Sequence, residues 1–436
     1  MRQAWPVVLA QAATALTGVV DTVVMGFTGD GADLAAIAIA SVTFSFVYWG
    51  FGFLRMATTG QAAQAIGAGA PERAAGVLGR ALALGLVFGV SLWVLFPVIR
   101  VVALGLFSAA ADVESRAAAY YLARIGGAPF ALMGYALNGY LLGTGRTRAL
   151  LGYQLVLNGT NAILDAIFVT QFGWGPAGIG AGTAMAEVIA LVVALGWIRR
   201  DLPVAWSRLR SSDDEPHAWS SLLATNRDIA VRTLAMLSAF GWFSNAGALL
   251  GTAVLAANQV LLQFVAVSAH VLDGVAFIAE KETGEAMGAG SRQRLAEAIA
   301  RTSEVAVVMG VVFSLGIALL GRPLLRWFVM DPEVLQIASD HLWYCAAVPL
   351  LGVAAWQLDG IFLGATRGRA LRNAALITTA LYIALDLVLR PAFGNAGAWI
   401  ALLTSYVLRA ATLAVALPAL FRAVTPTPEP PSHSQR

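Results

Sequence analysis

Twelve long apolar runs, separated by short polar breaks, fill this sequence. They fall at roughly 4–26, 34–66, 74–104, 114–142, 148–170, 176–198, 221–249, 253–287, 293–320, 334–364, 370–390 and 395–420. Each can supply the ~20 residues that a helix needs to cross a hydrocarbon core about 30 Å thick. Inside lipid the backbone has no water to bond, so each run is read as a self-satisfied helix. Composition agrees: 58% of residues are hydrophobic and 12% charged, with a mean hydropathy of +0.74. A soluble domain carries about 25% charged residues. The expected fold is therefore an all-α polytopic membrane protein. The second and eighth runs exceed what the bilayer requires and are expected to project from it at their C-terminal ends.

The polar breaks set the orientation. Arg73, Arg146, Arg148, Arg199, Arg200, Arg208, Arg210, Arg292, Arg294, Arg367, Arg369 and Arg372 lie in the even-numbered breaks. The odd-numbered breaks hold Asp30, Asp33, Asp112 and Glu114, with Arg322, Arg326 and Arg390 as exceptions. Basic loops face the cytoplasm, so both termini are expected inside a bacterial inner (plasma) membrane. Abundant Ala and Gly, with Lys281 as the single Lys, point to a GC-rich bacterial source. The N-terminal run leads straight into an acid without a small-x-small cleavage motif, so it reads as a first span and not as a signal peptide.

Several function classes drop out. A net charge of +3 gives no nucleic-acid footprint. Cys345 is alone and the four His are scattered, so no metal-ligand spacing or nucleophile–base constellation supports an enzyme. No cofactor is expected.

The chain repeats itself at an offset of 221. Leu34-Ala-Ala matches Leu255-Ala-Ala, and Ala65-Ile-Gly-Ala-Gly69 matches Ala286-Met-Gly-Ala-Gly290. Asn138-Gly-Tyr-Leu-Leu-Gly-Thr-Gly-Arg-Thr-Arg148 matches Asp359-Gly-Ile-Phe-Leu-Gly-Ala-Thr-Arg-Gly-Arg369, and Asp165 falls on Asp386. Pro176-Ala-Gly178 matches Asn395-Ala-Gly397 with a two-residue slip. A shared offset of this reach implies duplication. The expected organisation is a six-helix bundle at 1–198, a cytoplasmic linker at 199–220, a second six-helix bundle at 221–424 and a disordered tail at 425–436. Six helices per half makes the repeats parallel, around a central cavity.

Charges inside the spans carry the functional signal. Asp21 interrupts Leu16-Thr-Gly-Val-Val-Asp-Thr-Val-Val-Met-Gly26. An acid at such depth costs about 2.5–3.5 kcal/mol on insertion and marks a functional site. Depth counting at ~1.5 Å per residue puts Asp21, Asp165, Asn161 (one turn from Asp165) and Thr183 at one level in the first half. Two carboxyl groups between apolar walls repel each other when ionised, so together they can hold a proton near neutral pH. The same oxygens suit a small hard cation such as Na+. In the second half the offset places Trp242 where Asp21 stands, so cation coupling is expected in the first half only. Asp386 and Arg390 read as an i,i+4 ion pair. Thr17, Asn138, Asp273, Glu280 and Asp386 are further candidates for lining the cavity. A solvated helix face accounts for most of the Glu280–Glu285 cluster, including the Lys281–Glu285 pair.

These features resemble the multidrug and toxic compound extrusion (MATE) transporters, in particular the DinF-like branch. The local matches are Val19-Val-Asp-Thr-Val-Val-Met-Gly26, Gly139-Tyr-Leu-Leu-Gly-Thr-Gly145 and Asn161-Ala-Ile-Leu-Asp165, followed by Gly175-Pro-Ala-Gly178. The resemblance implies an antiporter that exports amphipathic, often cationic organic compounds in exchange for H+ or Na+. It also implies a first-half cation site of Asp21, Asp165, Asn161 and Thr183. The expected partners are a small organic substrate and the bilayer, with the chain a monomer. The alternative is a lipid-linked oligosaccharide or peptidoglycan-precursor flippase of related architecture. That would need several deep arginines for a pyrophosphate, and Arg55, Arg124 and Arg232 are the candidates.

Overall fold

The computed structural model describes residues 5–7, 9–10, 21, 24–26, 30–106, 110–210 and 218–424. Thr17, the central part of the expected linker and the expected tail lie outside the described residues. Helices account for nearly all of the rest: α1 (Gly31–Gly50), α2 (Phe53–Gly67), α3 (Pro71–Leu106), α4 (Ala111–Ile125), α5 (Ala128–Gly143), α6 (Thr147–Thr170), α7 (Gly175–Trp197), α8 (Leu202–Arg210), α9 (Ala218–Leu250), α10 (Thr252–Gly288), α11 (Arg292–Phe328), α12 (Pro332–Gly364) and α13 (Gly368–Arg422). No strand occurs among the described residues.

Each expected span from the second onward corresponds to one helix, to part of one, or to two in succession. Two spans are interrupted: the second between α1 and α2 at Phe51-Gly52, the fourth between α4 and α5 at Gly126-Gly127. The eleventh and twelfth join in α13, where Gly394 takes the left-handed φ of 58°. That conformation costs glycine nothing. At 37 residues, α10 is ~55 Å long, well beyond a ~30 Å hydrocarbon core.

The chain divides into two compact units. Residues Met1–Ala62 and Pro71–Asn226 form one; Ala63–Ala70 and Arg227–Arg436 form the other. In the first unit, α6 lies along α7, α3 along α5, and α4 bridges α1 and α7. Asp30 opens α1 with a reciprocal capping box to Asp33, and Arg116 of α4 reaches both acids at 2.8 and 2.6 Å. The Asp33 backbone N–H holds the Asp30 carboxyl below the usual carboxylate range.

The stretch 202–210, expected as flexible linker, folds as α8 against α3. Its buried face is Ala205, whose carbonyl would lie 2.6 Å from a Cβ at Gly79. Arg208 bonds Glu72 at 2.7 Å, and Asp201 accepts from Tyr140 at 2.9 Å and from Arg146. Contacts of this ordinary kind, at Asp201, Ala205 and Arg208, hold a segment that sequence polarity marks as linker.

The second unit is built on α10 against α12, with α11 and α13 each packed on α12. Its apolar core contains Phe243, Leu261, Val265, Leu342 and the fully buried Trp399. Asn258 and Asn395 exchange side-chain amide bonds of 2.8 and 3.0 Å, and the Trp399 indole donates to Asn258 Oδ1 at 2.9 Å. Asp359, deeper in α12, accepts from both Arg232 and Arg409.

The repeat is written into the packing of this unit. A Cβ at Gly67 would collide with the Glu285 carbonyl, and one at Gly288 with the Gln64 carbonyl. Each contact is the other moved by 221 residues, so two helix ends cross backbone to backbone about a local pseudo-two-fold. Small residues permit that approach between membrane helices. The same region shows a departure from expectation. Lys281 and Glu280 are buried, with Lys281 bonded to Glu285 at 2.9 Å, while Glu282 and Glu285 stay partly exposed, so the face is covered at Glu280 and Lys281 and open at the other two acids.

Overpacking such a contact costs about 1–3 kcal/mol. Gly288→Ala is therefore expected to lower the Tm of detergent-purified protein by several degrees relative to Gly159→Ala, where a Cβ meets nothing within 4 Å. Equal melting of the two variants would mean that the crossing is loose. Asn258→Ala strands the Asn395 amide and the Trp399 N–H, at about 1–3 kcal/mol for each buried group. The expected result is early loss of the Trp399 environment in unfolding followed by near-ultraviolet circular dichroism.

Candidate functional site

In the first unit, Asn161 and Asp165 lie one turn apart on α6, and Thr183 faces them from α7. The Asn161 side-chain amide donates to Asp165 Oδ2 at 2.8 Å and to Thr183 Oγ1 at 3.1 Å. The Thr183 hydroxyl itself donates to the Ile179 carbonyl at 2.9 Å, which directs its lone pairs toward Asn161. The Asp21 and Asp165 side chains lie against each other. Two carboxyl groups so placed can bond each other only when one of them is protonated. Asp21, Asn161 and Asp165 are all buried, and one side-chain oxygen of each finds no hydrogen-bond partner among the described residues.

Local sequence explains the closeness. Gly182, next to Thr183, leaves no Cβ between α7 and the acid; a methyl group there would collide with Asp165 Oδ1. Thr183 therefore approaches on a backbone pressed against α6. The result is a close-set cluster of two carboxyls, an amide and a hydroxyl, with three acceptor oxygens that find no partner among the described residues. Chemically it can accept a proton, or gather hard oxygen ligands round a small cation. No group of three or more His, Cys, Asp or Glu side chains suited to a metal ion occurs among the described residues.

A fixed ion pair stands beside it. Arg124 of α4 forms a two-pronged bridge to Glu187 of α7, at 2.8 and 2.6 Å. Its guanidinium lies 4.9 Å from the Tyr48 ring centre and 5.4 Å from that of Phe44. A Cβ at Gly127 would collide with Glu187, so that glycine makes the room. Arg124 is within electrostatic range of both Asp21 and Asp165. Sequence reasoning placed Arg124 deep but passed over Glu187. The available signal was an isolated acid inside the apolar seventh helix, the same signal that drew attention to Asp21.

The remaining candidates are dispersed. Asn138 is buried on α5 of the first unit. Asp273 and Glu280 sit on α10 of the second, half-buried and fully buried. Asp386 is fully buried on α13, and its Oδ2 accepts from Arg390 Nε at 3.0 Å and from the Trp242 indole at 2.8 Å. Thr17 lies outside the described residues.

Comparison with known proteins places the chain. A family model described as MatE matches residues 6–167 and 231–388. The chain is 32% identical over 417 residues to DNA damage-inducible protein F of Escherichia coli, across 94% of this chain and 90% of that protein. It is 29% identical over 358 residues to a probable multidrug resistance protein NorM of Aromatoleum aromaticum, across 78% and 74%. Its fold is similar to that of a MATE transporter of Vibrio cholerae crystallised in a bent form. The TM-score is 0.85 at 19% identity, covering 97% of this chain and 96% of the other. With a full-length fold match, a family match in both halves and a relative at this identity, the chain belongs to the MatE family, whose members are membrane transporters and not enzymes.

Proposed function

We propose that this protein is a secondary antiporter that exports amphipathic, cationic organic compounds in exchange for an inward flow of H+, with Na+ the alternative ion. It works by alternating access as a monomer in the bacterial inner membrane, with both termini cytoplasmic. The observation that carries the reading is the buried Asp21–Asp165 contact, flanked by Asn161 and Thr183 and short of donors. Two carboxylates at this separation cannot both stay ionised in a low dielectric. The cluster therefore has to be neutralised from outside the protein.

The chain's own residues take these parts. Asp21 and Asp165 hold the proton between them. Asn161 orients Asp165 by donating to Oδ2, which leaves Oδ1 for the exchanged cation. Thr183 offers a hydroxyl oxygen whose own hydrogen is committed to the helix. Losing the proton restores repulsion across the pair and drives the helix bearing Asp21 away from α6. In the ionised state the same acids favour a cationic substrate, so proton and substrate compete for negative charge. That competition makes the exchange obligatory.

Paired arginines weigh against the flippase reading. A pyrophosphate headgroup needs guanidinium groups free to accept it. Arg124 is committed to Glu187, and Arg232 to Asp359.

In proteoliposomes, Asp21→Asn and Asp165→Asn are each expected to abolish proton movement driven by a fluorescent organic cation while leaving the protein folded; antiport at the wild-type rate would sink the mechanism. Imposing a pH gradient and then a Na+ gradient on wild-type vesicles identifies the ion, with export expected to follow the pH gradient. Glu187→Gln leaves a buried guanidinium half-paired beside the acids. Breaking such a pair costs about 3–5 kcal/mol, and the freed charge opposes protonation of the nearby pair. The pH at which transport is half-maximal is expected to fall; an unmoved profile would assign Glu187 to packing alone.

A further inference from the structure

The two halves can be compared at the coupling site itself. At an offset of 221, Asp165 becomes Asp386, Asn161 becomes Tyr382 and Asp21 becomes Trp242. The two-residue slip in the last helix turns Thr183 into the buried Leu402. Packing confirms that these positions are structural equivalents. A Cβ at Gly178 would lie 3.2 Å from Phe168 Cβ, and one at the matching Gly397 would collide with Leu389, the residue 221 beyond Phe168. The contact between positions is kept as well. Asp21 meets Asp165 in the first half, and Trp242 meets Asp386 at 2.8 Å in the second.

The chemistry of that contact differs. Between Asp21 and Asp165 the bridging hydrogen has to come from solution. Between Trp242 and Asp386 it is the indole N–H, which never leaves. The charge of Asp386 is met by the Arg390 guanidinium, one turn along the same helix at 3.0 Å, with the arginine side chain only 15% exposed. Tyr382, one turn to the other side, and Tyr406 beyond it are the further titratable groups near this point. Neither donates a hydrogen bond to Asp386, whose Oδ1 has no partner among the described residues.

We propose that the second half holds a permanently occupied copy of the coupling site, with the Trp242 N–H and the Arg390 guanidinium standing on Asp386 where a proton or small cation stands on Asp165. The second half is thereby locked in the neutralised arrangement. One exchangeable cation site remains per chain, and it is in the first half. Trp242 and Arg390 act as positioning residues that keep Asp386 out of the exchange. The proposal rests on the coupling role given to Asp165 above.

Infrared spectra of the purified full-length protein, taken as differences between acid and alkaline pH, test it through the C=O stretch of protonated carboxyl groups buried in the protein. Wild type is expected to show such a band, and Asp165→Asn to lose it. Arg390→Gln uncovers Asp386, so a second buried-carboxyl band is expected. Adding Asp386→Asn to that variant replaces the ion pair with two neutral amides, and the spectrum is expected to return to the single wild-type band. The absence of a second band in folded R390Q would overturn the proposal. So would loss of wild-type intensity in the D386N/R390Q double variant, which stands alone as the test if R390Q does not fold. A wild-type band that survives Asp165→Asn overturns the first-half coupling reading instead. The two failures are thus separate, because the comparison of R390Q with its double variant does not depend on Asp165.

Discussion

A charge carried into a hydrocarbon-like interior must be neutralised where it sits, and most of this molecule's internal architecture answers that demand. Arg124 is clamped on Glu187, Asp359 between Arg232 and Arg409, Lys281 on Glu285 and Asp386 on Arg390. Each pair needs two helices, or two turns of one helix, held at a set separation. The charges therefore dictate helix placement as much as they depend on it. Asp21 and Asp165 are the departure: two like groups in contact, with neither given a basic partner of its own. Arg124 stands near enough to influence them, but its hydrogen bonds are spent on Glu187. It is this shortage of positive charge that the proposed cation coupling rests on.

Glycine supplies the second requirement, close approach. Gly182 lets α7 reach Asp165, Gly127 seats Glu187, and the reciprocal Gly67 and Gly288 contacts bring helix ends together backbone to backbone. The duplication makes this economical, since one packing solution serves twice. It also makes divergence informative. The two halves keep equivalent glycine contacts while their central polar residues change from Asp, Asn and Thr to Trp, Tyr and Leu. The scaffold is thus retained while the polar chemistry at its centre differs between the halves.

Much of this was legible in the residue string. Span positions follow from hydropathy because lipid admits few backbone solutions. The offset of 221 survives because tight crossings tolerate only small residues at fixed places. Asp21, Asn161 and Asp165 stood out because intramembrane polar groups are rare. Other features were not legible. Residues 202–210 look like linker, and they become a helix only because α3 offers Gly79 and Glu72 as docking points. The Glu280–Glu285 cluster looks solvated, yet Glu280 and Lys281 are buried, with the Glu280 backbone pressed on Gly364 of α12. Phe51-Gly52 and Gly126-Gly127 interrupt helices without any break in hydropathy, so a hydropathy reading runs straight through them.

The sequence alone determined that the chain lives in a membrane as a duplicated helical protein, and that its acids are unequally shared between the halves. Those conclusions depend on transfer free energy and on periodicity, which are properties of residues in order. Tertiary structure decided which charge meets which. That Arg124 goes to Glu187 and leaves the acid pair short of a partner is a matter of angstroms between helices. So is the seating of the Trp242 N–H on Asp386 in the place that Asp21 takes on Asp165. Electrostatic pairing in a low dielectric depends steeply on distance and on hydrogen-bond direction, and no linear spacing encodes either across separate helices.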